Sequence, residues 1–143
     1  MTLLMGSIVD LTADPIAVLR QSLSQEDAEA LDLNPRKLRV YIAGPYTKPD
    51  PETNTAEAIF MGDWVRSLGY DVYIPHLTHF WEKQIHHEWE FWMEHDLAWL
   101  ALCDILLRLP GESAGADREV EFARAHGIRV VYSINDLLAK GSD

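Results

Sequence analysis

The stretch ILLRLPGESAGADREVEFARAHG, residues 105–127, decides the fold of this chain. Its apolar first part ends at Leu109, a loop with Pro110 and Gly111 follows, and an amphipathic segment then runs to Gly127, so the stretch predicts strand, loop and helix. Free backbone N–H groups and the positive end of the helix dipole meet at such a junction, where they favour anions. A carboxylate one turn inside the helix can face the same crevice.

Strand and helix patterns alternate on both sides of this stretch. We predict strands at 38–43, 70–74, 104–109 and 129–132, and helices at 54–68, 88–102, 113–126 and 135–139. Residues 75–87 are predicted to be a long loop rich in aromatic and histidine side chains, of the kind that often carries function. The alternation predicts a single-domain Rossmann/flavodoxin-like α/β fold, with a parallel sheet of four to five strands and helices on both faces.

Residues 1–37 differ from this pattern and are predicted to form an N-terminal helical arm. Asp14-Pro15 is a helix start, Ser24 can cap a second short helix, and Asn34-Pro35 ends it. We therefore expect two parts: the arm at 1–37 and the α/β domain at 38–143.

Composition narrows the class of function. The 143 residues carry a formal net charge of −11, which argues against a nucleic-acid polymer as partner, because such binding relies on basic surface. A small phosphorylated ligand stays compatible, since a local group of amides does not depend on net charge. Without a long apolar run or a secretion signal, we expect a cytoplasmic protein with no membrane partner. Cys103 is the only cysteine, and we expect it in the core.

Two carboxylates fall on faces that should be buried. A helical wheel over 113–126 groups Glu119 with apolar positions and places Asp117 and Glu121 on the opposite side. On the preceding helix, Asp96 lies within an apolar stripe formed by Trp89, Trp92, Met93, Leu100 and Cys103. Because an unpaired buried charge is costly, each acid is expected to be partnered, protonated or used in chemistry. A purely structural role, bonded to a loop amide or an arginine, stays open for each.

Three segments resemble the nucleoside 2-deoxyribosyltransferase superfamily, which includes the 2′-deoxynucleoside 5′-phosphate N-hydrolases. VYIAG at 40–44 resembles the first strand of the family with its tyrosine, and HDLAWL at 95–100 resembles its Asp-Leu helix. SAGADRE at 113–119 matches the Ser-x-Gly-x-x-x-Glu loop of the phosphate-recognising hydrolases. The resemblance covers residues 38–132.

The resemblance implies an enzyme of nucleotide metabolism that cleaves the N-glycosidic bond of a (2′-deoxy)nucleoside 5′-monophosphate without a cofactor. Glu119 would be the nucleophile, Asp96 the acid near the leaving base, and Tyr41 the residue that orients Glu119. Two alternatives stay open: a nucleoside 2-deoxyribosyltransferase, in which a second base replaces water, and a non-catalytic nucleotide-binding protein.

Ser113 bears on the choice of substrate, because nucleoside-transferring members tend to carry an acid at this position and the monophosphate hydrolases a serine. Ser113 and Gly115 are therefore candidates for binding a 5′-phosphate, the alternative for Ser113 being a simple helix N-cap. The chain departs from the family pattern at Asp117, Arg118 and Glu121. Asp117 could be a harmless first-turn acid, reject phosphate or bind a sugar hydroxyl, and Arg118 could replace aromatic packing or reach a phosphate.

The remaining candidates for substrate binding lie in the loops after the first two strands: Gly44, Pro45, His76, His79, Phe80 and Trp81. The histidines are expected to contact base or phosphate, and Phe80 and Trp81 to stack on a base. Trp89 and Trp92 are expected in the core. The histidines lack a helical ligand pair, so no metal is predicted. A second apolar stripe at Phe91, Ala98 and Leu102 predicts a homodimer or higher homo-oligomer.

Overall fold

The computed structural model describes residues 36–139, together with Ser24, Glu26 and Asp27. Contacts divide the chain into two units, Met1–Arg36 and Lys37–Asp143. The predicted helices of the arm lie outside the described residues, apart from a short helical piece at Glu26 and Asp27. There the Asp27 N–H donates to the Ser24 hydroxyl at 3.1 Å, as in a capped helix start.

Residues 36–139 contain four strands and five α-helices. In order they are β1 (Arg39–Ala43), α1 (Pro51–Ser67), β2 (Asp71–Tyr73), a 3₁₀ turn (Pro75–Leu77), α2 (Thr78–Gln84), α3 (Trp89–Leu100), β3 (Ile105–Arg108), α4 (Ala114–Ala125), β4 (Arg129–Val131) and α5 (Ile134–Leu138). All strand pairs are parallel and the order across the sheet is β2-β1-β3-β4. The predicted α/β fold is confirmed, with four strands.

Alternate residues of the strands face two separate cores. On one face, Tyr41 and Leu106, which are paired in register, pack beneath α3 and α4. On the other, Ile42 and Leu107 pack beneath α1 and α5. Because side chains alternate along a strand, helices on both faces follow from the apolar composition of β1 and β3. Cys103 is buried in the first core, as predicted.

Polar caps fix where the helices begin. Asp50 accepts a hydrogen bond from the Thr53 N–H at 2.9 Å, and Pro51 occupies the first turn of α1. Ser113 and Ser133 cap α4 and α5 in the same way, through bonds from N–H groups three residues ahead. Each cap satisfies a backbone donor that the helix itself leaves unpaired, so these boundaries are encoded locally.

Residues 75–87 are not the long loop that the sequence predicted. They form the 3₁₀ turn and α2, which leaves only 85–88 as a connection to α3. Tertiary packing explains the difference: His79 is buried and meets Tyr46, and the rings of Trp81 and Trp92 lie edge to face with centroids 5.0 Å apart. Phe80 and Trp81 therefore lie on a helix.

The outer side of α3 is exposed in this chain. Phe91, Ala98 and Leu102 all lie at the surface, and their coverage by a second subunit stays a prediction. Among the described residues, no helix combines the length and the apolar character required to cross a membrane.

Candidate active site

The loops that follow β1, β2 and β3 surround a cavity of about 820 Å³. One further wall is provided by α3 and another by the first turns of α4. The chain passes from β1 to β2 on one side and returns to β3 on the other, so the cavity lies where the strand order reverses. In open parallel sheets this is the usual place for a ligand, and the volume suits a small molecule.

Glu119 and Tyr41 form a buried pair at this cavity. Glu119 is 5% exposed and Tyr41 fully buried, and the tyrosine hydroxyl donates a hydrogen bond to Oε2 of Glu119. The carboxylate lies in the second turn of α4, on the face that packs on β1, which is why it meets a side chain of that strand. The inward orientation that the helical wheel predicted for Glu119 is confirmed.

Asp96 reaches the same cavity from α3. Its neighbours Met93 and Leu100 are buried, as the predicted stripe requires. Its Oδ1 atom is buried and has no hydrogen-bond partner within the described residues. Burial raises the pKa of Asp96 to about 7, so the side chain holds a proton far more readily than an ordinary aspartic acid.

The ionisation of the two acids is linked. Burial raises the pKa of Glu119 to about 8, and negative charge on Asp96 raises it too, whereas the Tyr41 hydrogen bond and the positive charge of Arg108 lower it. Because this repulsion acts in both directions, loss of a proton from one acid hinders its loss from the other. Burial and the charge of Glu119 also raise the pKa of Tyr41, which therefore stays a hydrogen-bond donor.

Arg108 holds the loop between β3 and α4. It donates to the carbonyl oxygens of Leu109 and of Gly111, the latter at 2.9 Å, and pairs with the Asp117 carboxylate at 3.0 Å. The arginine side chain is only 10% exposed. The charge of Asp117 is thus compensated within the loop. Sequence reasoning missed this role, although a basic residue at the end of an apolar strand was a signal.

We expect Arg108→Gln to destabilise the protein by about 1 to 3 kcal/mol, because two carbonyl groups and a carboxylate lose their donor. Urea unfolding followed by circular dichroism measures this change. Arg118→Gln is the matched control, since Arg118 is an exposed arginine on α4. Equal midpoints for the two variants would contradict the role given to Arg108.

Ser113 combines the two roles that the sequence left open. Its Oγ accepts from the Ala116 N–H at 3.1 Å, which makes it the N-cap of α4, and the residue also lines the cavity. The N–H groups of Ala114 and Gly115 belong to the first helical turn, where the helix supplies no acceptor. Gly115 lines the cavity beside them. This end of the cavity therefore presents amide donors and the positive end of a helix dipole.

The loops after β1 and β3 touch through Gly111 and Pro45. Gly111 has a φ of +116°, and a Cβ atom there would lie 2.7 Å from Cγ of Pro45, so only glycine fits. Gly44 lines the cavity and packs on Leu109, to which a Cβ atom would come within 3.0 Å. Pro45 shapes the cavity from behind and does not line it.

The histidines after β2 separate into different environments. His76 is buried in the wall of the cavity and lies 3.0 Å from the Pro45 carbonyl oxygen through Nε2. His79 is also buried, but its Nδ1 lies 2.8 Å from the Tyr46 hydroxyl and the residue is not among those lining the cavity. Within the described residues, no three histidine, cysteine or acidic side chains are grouped so that they could hold a metal ion.

Three further residues predicted to bind substrate lie away from the cavity. Phe80 and Trp81 are 58% and 42% exposed on α2, and Trp81 packs in an aromatic group with Phe91, Trp92 and His95. Arg118 is exposed on the outer side of α4. Phe80 and Trp81 were predicted to reach the site because residues 75–87 were predicted to be a loop. They lie instead on α2, which directs their rings away from the cavity.

Trp89 and Trp92 take the place that those rings were expected to fill. Both line the cavity instead of the core, and Trp89 is 50% exposed. The Trp92 indole N–H donates to Oε1 of Glu82 at 2.6 Å, and the His87 backbone N–H donates to the same oxygen at 2.9 Å. These donors, together with His86, lower the pKa of Glu82 to about 2. Glu82 thus holds the Trp92 indole in the wall of the cavity, a role that was not predicted from the sequence.

Asn54 positions the opposite wall. Its side-chain amide donates to the carbonyl oxygens of Tyr46 and Lys48, both at 2.9 Å. Asn54 itself is buried at the start of α1. Tyr46, Thr47 and Lys48 are thereby held over the cavity, with Lys48 bringing a positive charge.

Residues 38–132 match the model of a family described as a domain of unknown function, DUF4406. That family is related to nucleoside 2-deoxyribosyltransferase-like proteins. No curated protein matches the chain. The matched residues include Tyr41, Asp96 and Glu119.

Proposed function

This chain belongs to the DUF4406 family, and from that membership and the two acids that meet in its cavity we propose that it hydrolyses the N-glycosidic bond of a (2′-deoxy)nucleoside 5′-monophosphate. The observation that carries the proposal is the buried Tyr41–Glu119 hydrogen bond, with Asp96 in the same cavity. Two carboxyl groups that compete for a proton are the arrangement used by retaining glycoside hydrolases. No cofactor enters the proposed reaction.

The hydrogen bond from Tyr41 supports the role proposed for Glu119 as the nucleophile. Tyr41 donates to Glu119 and so lowers the pKa of a carboxyl group that burial raises to about 8, while burial raises the pKa of Asp96 to about 7. These two pKa values are close, so the pair can hold a single proton between them, and the reactive form is the one with Glu119 ionised and Asp96 protonated. In the first step the Glu119 carboxylate bonds to C1′ of the sugar, the C1′–N bond breaks, and the departing nitrogen takes the proton of Asp96. In the second step water bonds to C1′, gives its proton to Asp96, and Glu119 leaves as a carboxylate.

Three features support a 5′-phosphate on the substrate. The first turn of α4 offers amide donors beside Ser113, and helix N-termini bind phosphate in this way. Lys48 adds a cation to the cavity wall. Asp117, an acid in the same helical turn as these amides, is paired with Arg108, which limits its repulsion of an anion.

A second candidate function is nucleoside 2-deoxyribosyl transfer. The cavity is also lined by Glu82 and Glu112, and negative charge there opposes a dianionic phosphate and favours an uncharged nucleoside. In that reaction a second base, in place of water, would take the sugar from Glu119.

Base release tests the proposal directly. The protein would be incubated with the four common 2′-deoxynucleosides and with their 5′-monophosphates, and free base would be measured by chromatography, with and without a second base as acceptor. We expect base from the monophosphates, at least about tenfold faster than from the nucleosides. A new nucleoside formed only when the acceptor is present would instead support transfer. Absence of base release from every compound would contradict both enzymes and favour a binding protein.

A variant that removes the charge of Glu112 tests whether the substrate phosphate lies near this residue. Glu112→Gln is expected to raise kcat/KM for the monophosphate a few-fold and to leave the nucleoside unaffected, because only the charged substrate meets repulsion. Glu121→Gln is the matched control, since Glu121 is exposed on the outer side of α4. An equal change for both substrates would show that Glu112 does not face the phosphate.

A further inference from the structure

Three aromatic rings are stacked between the acid pair and the surface of the protein. The ring centroids of Tyr41 and Tyr73 lie 5.7 Å apart with an interplanar angle of 24°, and those of Tyr73 and Trp99 lie 5.6 Å apart with an angle of 13°. Tyr41 is fully buried, whereas Trp99 is 46% exposed. The stack therefore begins at the tyrosine whose hydroxyl bonds to Glu119 and ends at the surface of α3.

Tyr73 joins the Tyr41–Glu119 pair to the helix that carries Asp96. It is the register partner of Tyr41 on the neighbouring strand, and paired residues of adjacent strands point to the same face of the sheet. Its other side meets Trp99, which lies three residues after Asp96 and so at a neighbouring position on the surface of α3. Tyr73 is not among the residues that line the cavity, so its effect on the reaction must pass through these neighbours.

The ring of Tyr73, and not a charge, makes these contacts. Burial, followed by negative charge on Asp96, Cys103 and Glu119, raises the pKa of Tyr73 to about 12. The side chain is therefore neutral over the whole range in which the two acids titrate. Both neighbours stack on its ring, so phenylalanine at this position keeps the contacts and leucine does not.

We propose that Tyr73 is a positioning residue of the active site, whose ring fixes the Tyr41–Glu119 pair relative to Asp96 by stacking between Tyr41 and Trp99. This inference rests on the proposed function, because the relative position of the acids matters for a reaction only if both act on one substrate. Stacked aromatic pairs favour a defined distance and tilt of their rings. Misplacement of a reacting group by about 1 Å can lower a rate by about a hundredfold.

Three variants test the inference through base release from the monophosphate that the wild type cleaves fastest. Tyr73→Phe keeps the ring and Tyr73→Leu removes it. Tyr70→Leu is the matched control, because Tyr70 is also a half-buried tyrosine but packs in the core on the other face of the sheet. In Tyr73→Leu we expect kcat to fall by about tenfold or more while KM changes by less than about threefold. In the other two variants both constants should stay within about twofold of the wild type.

The pH–rate profile separates positioning from a general loss of stability. Loss of the Tyr73 ring lets water approach Tyr41 and the two acids, whose pKa values are raised mainly by burial. We therefore expect the profile of Tyr73→Leu to move to lower pH by about half a unit or more, and that of Tyr70→Leu to stay in place. Both variants leave unchanged the groups that act electrostatically on Glu119, which are Tyr41 on β1, Asp96 on α3 and Arg108 on β3.

Three results would overturn the inference. The first is a kcat in Tyr73→Leu within about twofold of the wild type, and the second is an equal loss in Tyr73→Phe, which would assign the effect to the hydroxyl. The third is an equal loss in Tyr70→Leu, which would assign it to stability. If Tyr73→Leu does not fold, Trp99→Leu removes the outer ring of the stack and is held to the same comparison with Tyr70→Leu.

Failure of the proposed function gives a different result. In that case the wild type releases no base, and carbon-13 NMR follows the titration of the Glu119 and Asp96 carboxyl groups in the free protein. Lower pKa values in Tyr73→Leu than in Tyr73→Phe would support the positioning role without hydrolysis. Equal titration of the acids in these two variants would overturn it.

Discussion

Glu119→Gln is expected to abolish base release, with kcat lower by about a thousandfold or more, while the Kd for the monophosphate changes by less than about fivefold. Glutamine keeps the shape of the side chain and can still accept the Tyr41 hydrogen bond, but its amide is not a nucleophile. Single-turnover measurement of free base and titration of the nucleotide give the two quantities. Glu121→Gln is the control on the exposed side of the same helix.

Tyr41→Phe provides a graded companion to this result. Loss of the hydroxyl removes a hydrogen bond that lowers the pKa of Glu119, so the variant needs a higher pH to ionise its nucleophile. We expect the rising part of its pH–rate profile to move to higher pH and kcat near pH 7 to fall by about tenfold. Full activity in Glu119→Gln, or an unshifted profile in Tyr41→Phe, would contradict the assignment of Glu119.

The pH dependence of base release is the second large effect that we expect. The reaction requires one ionised and one protonated acid, and burial raises the pKa of Asp96 to about 7 and that of Glu119 to about 8. The profile should therefore be bell-shaped, with its maximum near pH 7 to 8, and both limbs belong to the coupled pair.

Asp96→Asn should reshape this profile. The descending limb should disappear, because no acid is left to lose its proton. The rising limb should move to lower pH, because the negative charge of Asp96 no longer raises the pKa of Glu119. We expect kcat to fall by about a hundredfold or more, and by less for a base that leaves easily without a proton. A descending limb that persists in the variant would assign it to another group.

Asp96 and Glu119 are also expected to make the folded protein less stable as pH rises. In the unfolded chain their carboxyl groups titrate near pH 4, whereas in the folded protein the pKa values are raised. The folded state then binds more protons than the unfolded state between these values, so its stability falls as pH rises from about 5 to 8. Asp96→Asn should lose less stability over this range, and at pH 8 should exceed the wild type by about 1 to 3 kcal/mol in urea unfolding.

Much of the fold follows from short-range patterns in the sequence. The apolar runs of β1 and β3 predict buried parallel strands, and the caps at Asp50, Ser113 and Ser133 fix the starts of three helices. These signals lie within a few residues of the structure that they specify, so local patterns can detect them. The Asp50 cap was nevertheless missed, because the helix after β1 was predicted to begin at residue 54 and begins at Pro51.

The sequence predicts the orientation of a candidate site residue only where that residue lies on a helix with a clear apolar face. The wheel identifies Glu119 and Asp96 as inward-facing because both lie on long helices with clear apolar stripes. Their presence in one cavity depends on how α3 packs on α4, which no local pattern contains. The exposed position of Arg118 was missed for a different reason: Arg118 was taken from the resemblance, which gives the spacing of the motif but not the side of the helix on which each residue lies.

The corrections all come from contacts between distant parts of the chain. α2 is stabilised by His79 against Tyr46 and by Trp81 against Trp92, and Glu82 holds the Trp92 indole at the cavity. Residues 75–87 contain many aromatic and histidine side chains and no clear apolar stripe, so they resemble a loop until these partners are known. Tertiary packing decides such segments over intrinsic preference.

Because Gly111 packs against Pro45, the loops after β1 and β3 constrain each other's sequence and must change together. A chimaera that took residues 44–50 from one family member and 109–113 from another would have to match the ring of the proline to the bare backbone of the glycine. Any larger residue at either position would push the loops apart, and with them His76, which bonds to Pro45. Exchange of substrate preference between relatives is therefore expected to succeed only when both loops are transplanted together.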